Sequence, residues 1–282
     1  MTSSAAAPLG AERDFVPAGE VGATDSELLG LESAAFASFA RILGQEVELL
    51  ASGQTLGLLI ETLIEIGATD AADTLTAMDE AAISNPEELT YAWTMLFARG
   101  TVPPYETSYM TPSMVGHTNE LADIAAFYRA FGLEVVNERS DHLLPELEFA
   151  SLAALRESQA VDEANQEAFE VVHSARATFM RDHLGCWVDE FVERLEREEP
   201  ENRYLPVVEA LAFFIGDVCD GLGIEPFKPV IVPTPGLGDI DIDSDDSPVV
   251  CFGDPVPIED LEMPADVSAD SGPLSVRPVR RS

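Results

Sequence analysis

Apolar residues recur three and four positions apart from Ser26 to about Leu222, which is the repeat of one buried helical face. Phe36, Phe39, Ala40, Leu43, Val47 and Leu50 make the first stripe, and Ser52-Gly53 breaks it. Leu56, Leu59, Ile60, Leu63 and Ile64 restart it, and Gly67 stops it; a further helix is expected over Ala71 to Ile83. Asn85 then offers a cap, Pro86 suits the first helical position, and Glu88 completes a capping box. Leu89, Trp93, Leu96 and Phe97 line that helix, with Tyr91 and Met95 beside them, and Gly100 can close it. Thr118 is read as the next cap, before a stripe of Leu121, Ile124, Ala125, Tyr128 and Phe131 that ends at Gly132. Leu133 to Arg139 reads as a short connector. Helices follow over Leu144 to Glu157, with Pro145 in the first turn, then over Gln166 to Met180 and His183 to Arg197 as one bent or two consecutive helices, and over Leu205 to Leu222. Pro200 separates the last two. The expectation is an all-α fold, one multi-helix bundle over residues 26–225.

Both ends lack that periodicity. Residues 1–25 are rich in Ala, Gly, Ser and Pro and read as a flexible lead. Residues 226–282 hold more than half of the 19 prolines and many acids, and read as a disordered acidic tail with a short strand near Val249 to Phe252. The three arginines at its end, Arg277, Arg280 and Arg281, read as a solvated terminus.

The charge excludes several partners. Asp and Glu number 52 against 15 Lys and Arg, a net −37, which repels nucleic acid and anionic membranes. Lys228 is the one lysine among those bases. With 46% apolar residues the chain still has a core to bury, so the acids read as adaptation to a cytoplasm of molar salt. Their repulsion is screened within about 3 Å at 1 M ionic strength. Cys186, Cys219 and Cys251 are odd in number and far apart, with no CxxC, so neither a disulfide framework nor a zinc site is expected. No basic start followed by an apolar run opens the chain, and no stretch approaches 18 apolar residues, so an intracellular protein without a membrane span is expected.

Two loops carry the polar and aromatic residues. One is Val102-Pro103-Pro104-Tyr105-Glu106-Thr107-Ser108-Tyr109; the other runs from Ser140-Asp141-His142-Leu143 to Glu148-Phe149. Semi-rigid loops spaced by helices suit the lips of a groove, although proline and tyrosine are also common in plain turns. Asp141-His142 with Glu148, or His183 with Cys186, could be drawn as an acid–base or metal site, but Asp141 as a helix cap is the simpler reading. HExxH, GxSxG, GxGxxG and a phosphate loop are all absent.

Three blocks in fixed order carry a family resemblance. The first is Glu88-x-x-Tyr91, Leu96-Phe97-x-x-Gly100 and Pro103 to Tyr109. The second is Phe127-Tyr128-x-x-Phe131-Gly132 leading to Glu138-x-x-Asp141-His142-Leu143-x-x-Glu146-Leu147-Glu148-Phe149. The third is Phe179-x-x-x-His183-Leu184-x-x-Trp187-x-x-x-Phe191. Over roughly residues 30–220 the chain resembles the TorD/DmsD/NarJ family, the chaperones that mature molybdenum enzymes. Ser140 stands where the family often has proline, and Tyr105 where some members have tryptophan. These departures leave the client open.

The resemblance implies a cytoplasmic, non-enzymatic TorD-like bundle, as a monomer or a domain-swapped dimer. It implies binding to the twin-arginine signal peptide, or the apo catalytic subunit, of a molybdenum oxidoreductase of the dimethyl sulfoxide reductase family. Export then waits on cofactor insertion. No resident cofactor or metal is implied, though transient contact with the guanylated molybdenum cofactor is. Glu106, Asp141 and Glu148 are the expected acceptors for guanidinium groups. Trp93, Tyr105 and Tyr109 are the expected aromatic faces. Leu96, Phe97, Pro104, His142 and Leu143 are expected to complete the groove, with apolar contacts carrying more of the affinity at high salt. Three other readings stand beside this one: a NarJ-like helper for a nitrate reductase subunit, a helical metal-dependent enzyme using Asp141, His142 and His183, and a structural subunit of a redox complex.

Overall fold

The computed structural model describes residues 23–44, 47–78, 83–98, 102–110, 114–136, 138–228 and 276–278. In chain order the helices are α1 (Ala23–Leu43), α2 (Val47–Ala51), α3 (Gln54–Ile66), α4 (Thr69–Thr76) and α5 (Pro86–Trp93). They continue as α6 (Thr107–Met110), α7 (Met114–Ala130), α8 (Leu143–Asp162), α9 (Gln166–Phe179), α10 (Gly185–Glu198) and α11 (Leu205–Gly221). The all-α architecture expected from the periodicity is present. Strand β1 (Leu133–Val135) pairs antiparallel with β2 (Val276–Pro278), a minor addition to the bundle.

Small residues let the two longest helices approach. The Ser26 and Ser158 hydroxyls are 3.2 Å apart, and Ser158 donates to the Ser26 carbonyl at 2.9 Å. Ser33 and Ser151 repeat the pattern at 3.2 and 2.9 Å. As the numbers rise on α1 they fall on α8, so the pair runs antiparallel. Ala150, Ala153 and Ala154 keep that face of α8 low, and all three are buried. Beneath it Arg176 of α9 is buried against Glu157 at 2.8 Å and against Glu32, while Glu157 also meets His173 at 2.6 Å. One guanidinium thus ties α1, α8 and α9 together. Burial would raise the Glu157 pKa, but the His173 and Arg176 contacts outweigh it and hold the carboxylate ionised.

Aromatic residues fill the middle. Phe36 and Phe39 of α1 pack on Phe214 of α11, with ring centres 4.7 and 5.8 Å away. Phe149 meets Phe179 at 4.5 Å and Phe131 at 4.9 Å, and Tyr109 stacks on Trp187 at 5.4 Å. Gly185 lets α10 lie close to α11: a β-carbon there meets the Met180 carbonyl at 2.5 Å and Cys219 Sγ at 3.3 Å.

Several local expectations change. The first stripe is split between α1 and α2 by a turn at Gly44. α4 starts at Thr69 and ends at Thr76, short of Ile83. Thr118 lies inside α7 rather than capping it. His142, not Asp141, caps α8. The connector Leu133 to Arg139 holds β1. Two helices leave the α-helical repeat for a π-helical turn, at Thr94–Ala98 after α5 and at Met180–Leu184 between α9 and α10. The second turn makes α9 and α10 one continuous rod. Gly100, the lead before Ala23, and the strand expected near Val249 to Phe252 lie outside the described residues.

Candidate functional site

The two loops meet as a backbone pair. Tyr105 and His142 form an antiparallel bridge, in which Glu106 N donates to the Asp141 carbonyl at 2.9 Å and Leu143 N donates to the Pro104 carbonyl at 3.0 Å. Proline supplies no N–H, so Pro103 and Pro104 take part through their carbonyls alone, and the donor of this segment is Glu106 N. Tyr109 Oη donates to the Pro103 carbonyl at 2.8 Å and clamps the turn.

Asp141 is the hub of this junction and is fully buried. Thr107 Oγ1 donates to its Oδ2 at 2.7 Å. Arg139 adds a two-pronged contact, Nε to Oδ1 at 3.0 Å and Nη2 to Oδ2 at 2.7 Å. The same guanidinium lies 4.4 Å over the Tyr105 ring and donates to Thr107 Oγ1 at 3.0 Å. Arg139 and Asp141 share a side because they stand two apart in a non-helical segment.

His142 is held neutral. Its Nδ1 accepts from Leu144 N at 3.1 Å, which caps α8. Burial lowers its pKa to about 4, against the opposing pull of Glu138 and Asp141. Its ring stands edge-on to Tyr105 at 5.1 Å and tilts against Phe97 at 5.8 Å. Phe97 in turn meets Trp93 at 5.4 Å, and Trp93 Nε1 donates to the Leu43 carbonyl at 2.9 Å. The side chains of Trp93, Phe97 and Tyr105, half-buried, and of Arg139, exposed, therefore form a row open to solvent.

The other expected site residues sit deeper. Leu96, Pro104, Glu106, Tyr109, Asp141, His142 and Leu143 are buried, and Glu148 is half-buried. Glu106 turns inward, where its Oε1 lies 3.1 Å from His183 Nδ1. Glu146 lies beside it, accepting from Trp187 Nε1 at 3.0 Å. Burial, then the Glu106 charge, pushes the Glu146 pKa far up, which favours its protonated form. Burial also raises the Glu106 pKa, while His183 opposes that shift. Desolvation lowers the His183 pKa, but Glu106, Asp123 and Glu120 outweigh it and raise it overall.

The family profile described as nitrate reductase delta subunit matches residues 65–193, which span both loops and the second π-turn. The selenate reductase assembly chaperone protein of Thauera selenatis is 30% identical over 187 residues, covering 62% of this chain and 94% of the relative. The chain belongs to the molybdoenzyme assembly chaperones. No solved structure matches it.

Assembly chaperones of this family are not catalysts, and the same holds for this chain. The groups drawn into the enzyme alternative serve other tasks. His142 Nδ1 is committed to the helix cap, and His183 faces Glu106 rather than Asp141. Cys186 donates to the Arg181 carbonyl at 2.9 Å, and burial pushes its thiol pKa well up, which makes a poor nucleophile. No helix among the described residues is long and apolar enough to cross a membrane.

Proposed function

We propose that this chaperone works in the cytoplasm on a molybdenum oxidoreductase of the dimethyl sulfoxide reductase family. It binds the twin-arginine signal peptide of the apo catalytic subunit and delays export until the cofactor is inserted. One observation carries this reading: the chain's own Arg139 is gripped by an aromatic face and a carboxylate fork. Tyr105 and Asp141 thus make a cradle matched to a planar guanidinium. Arg139 is 48% exposed, so it can swing out and yield its place to a peptide arginine. The apolar run of the peptide then lies on Phe97 and Trp93. Transient contact with the guanylated molybdenum cofactor belongs to the same reading.

The test is a titration of the purified chain, in molar KCl, with a synthetic leader peptide that carries an arginine pair followed by an apolar run. A twin-arginine peptide is expected to bind, and its twin-lysine version to bind roughly tenfold more weakly, because lysine lacks the fork. Equal binding of both removes the cradle from the account. The match to a nitrate reductase delta subunit profile favours a second client, a nitrate reductase subunit recognised through a segment without an arginine pair. Binding of such a segment, with indifference to arginine, selects that client.

A further inference from the structure

Client binding leaves one cluster unexplained. Glu106 Oε2, Glu146 Oε1 and His183 Nε2 are buried without a hydrogen-bond partner. Protein interiors leave few polar atoms in that condition. The Glu106 and Glu146 carboxyls are near enough to interact with each other. His183 Nε2 is different. It faces Asp123 Oδ2 at 3.4 Å, an ion-pair distance without hydrogen-bond alignment. Glu120 stands nearly one turn earlier on the same helix, α7. One ligand atom each from Glu106, Glu120 and His183 lie within 4.8 Å of one another.

We propose that Glu106, Glu120 and His183 hold a divalent transition-metal ion, with Nδ1 as the histidine donor and Asp123 as the partner that orients the ring through Nε2. Metal–ligand bonds of roughly 2.0–2.2 Å place donors up to about 4.4 Å apart, so the cluster is near bonding size. Glu120 is only half-buried, and rotation of its side chain closes the remainder. One imidazole nitrogen with carboxylate oxygens suits Zn²⁺, Mn²⁺ or Fe²⁺ rather than a thiophilic ion. The surroundings fit a built site. The His183 ring is walled by Phe127 at 5.3 Å and Phe179 at 5.5 Å, and Glu106 is backed by Glu146, itself fixed by Trp187. Exposed Asp123 marks the way in. The ion would link the Pro103-Pro104-Tyr105 loop to α7 and to the second π-turn, and so stiffen the base of the Tyr105 cradle.

The test uses the full chain, stripped with chelator and held in molar KCl, because a net charge of −37 collects cations loosely. Zn²⁺ binding is measured by equilibrium dialysis with elemental analysis, and Co²⁺ by its visible absorption. Wild type is compared with Glu120→Gln and His183→Gln. Glu120 is half-exposed, so its variant keeps the fold even if the His183 variant does not. The expected result is one tight equivalent in wild type, a thermal midpoint that rises with Zn²⁺, and Co²⁺ bands of nitrogen–oxygen ligation. Glu120→Gln should lose the bands and weaken binding about tenfold or more. Equal Zn²⁺ uptake and affinity in wild type and Glu120→Gln, with no Co²⁺ bands, overturns the site. His183 then only bridges Glu106 and Asp123.

Discussion

The Arg139 guanidinium lies 4.4 Å over the Tyr105 ring while gripping Asp141 through two nitrogens. The acceptor that a client arginine needs is therefore already filled within the chain. Recognition becomes an exchange of one guanidinium for another, and buried Asp141 never has to lie unpaired. That exchange separates two kinds of residue on this face: those that meet the client and those that hold the loops together.

Tyr105 belongs to the first kind. Its hydroxyl makes only a 3.5 Å contact with Glu138, so the ring face is what matters. Tyr105→Phe should leave peptide affinity nearly unchanged. Tyr105→Ala should lower it by roughly 1–2 kcal/mol, about five- to thirtyfold, with little change in the urea midpoint. Fluorescence titration beside urea unfolding separates the two effects.

Asp141 belongs to both kinds: it takes the guanidinium and it ties the loops together. Asp141→Ala leaves Thr107 and Arg139 without their acceptor at a buried junction. A loss of about 2–4 kcal/mol in unfolding free energy is expected. Urea unfolding in molar KCl measures it. Lost client binding in this variant then combines a lost guanidinium acceptor with a loosened loop pair, and the unfolding measurement sizes the second.

His142 gives an acid-side dependence. The folded chain keeps it neutral down to about pH 4, while an unfolded histidine takes its proton near 6.5. Stability should therefore fall as pH drops from 6.5 toward 4, by roughly 3 kcal/mol at most from this group. Nearby Glu138 and Asp141 resist the fall, and Arg139 adds to it. His142→Asn keeps a capping acceptor and removes the titration, so its unfolding curves should flatten over that window.

Glu146 gives the opposite sign. Its folded pKa is raised, so its contribution is favourable at low pH and is lost as pH climbs above the ordinary carboxylate range. Glu146→Gln keeps an acceptor for Trp187 and a donor toward Glu106. The variant should match wild type in acid and equal or exceed it in stability at pH 7–8, as judged by thermal midpoints. A large loss at neutral pH shows that the carboxyl is ionised there.

Much of the fold could be read from local chemistry. Asn85 accepts from Glu87 N at 3.1 Å and reaches Glu88 at 3.0 Å, as a cap before Pro86 should. Gly67 and Gly132 end their helices at φ 85° and 73°, which glycine adopts without strain. What escaped were relations between distant segments. Glu106 and His183 are 77 positions apart, and nothing in either neighbourhood announces the other. The first π-turn lies in sequence that reads as ordinary helix, and the second falls at the junction between two expected helices. Asp141 reads as the cap in the sequence, but the capping role falls to His142, because Asp141 turns inward to Thr107 and Arg139. The one local signal for that was Arg139 itself, two places earlier in a segment without helical period.

The central claim is guanidinium exchange on the Tyr105–Asp141 cradle. Its most direct test is the affinity of a twin-arginine leader peptide for wild type, Arg139→Ala and Tyr105→Ala in molar KCl. Removing Arg139 should vacate the cradle, so Arg139→Ala should bind the peptide more tightly than wild type although it is less stable, and Tyr105→Ala should bind it more weakly. Unchanged or weaker binding by Arg139→Ala, with the fold intact by circular dichroism, contradicts the exchange and moves the client to another face.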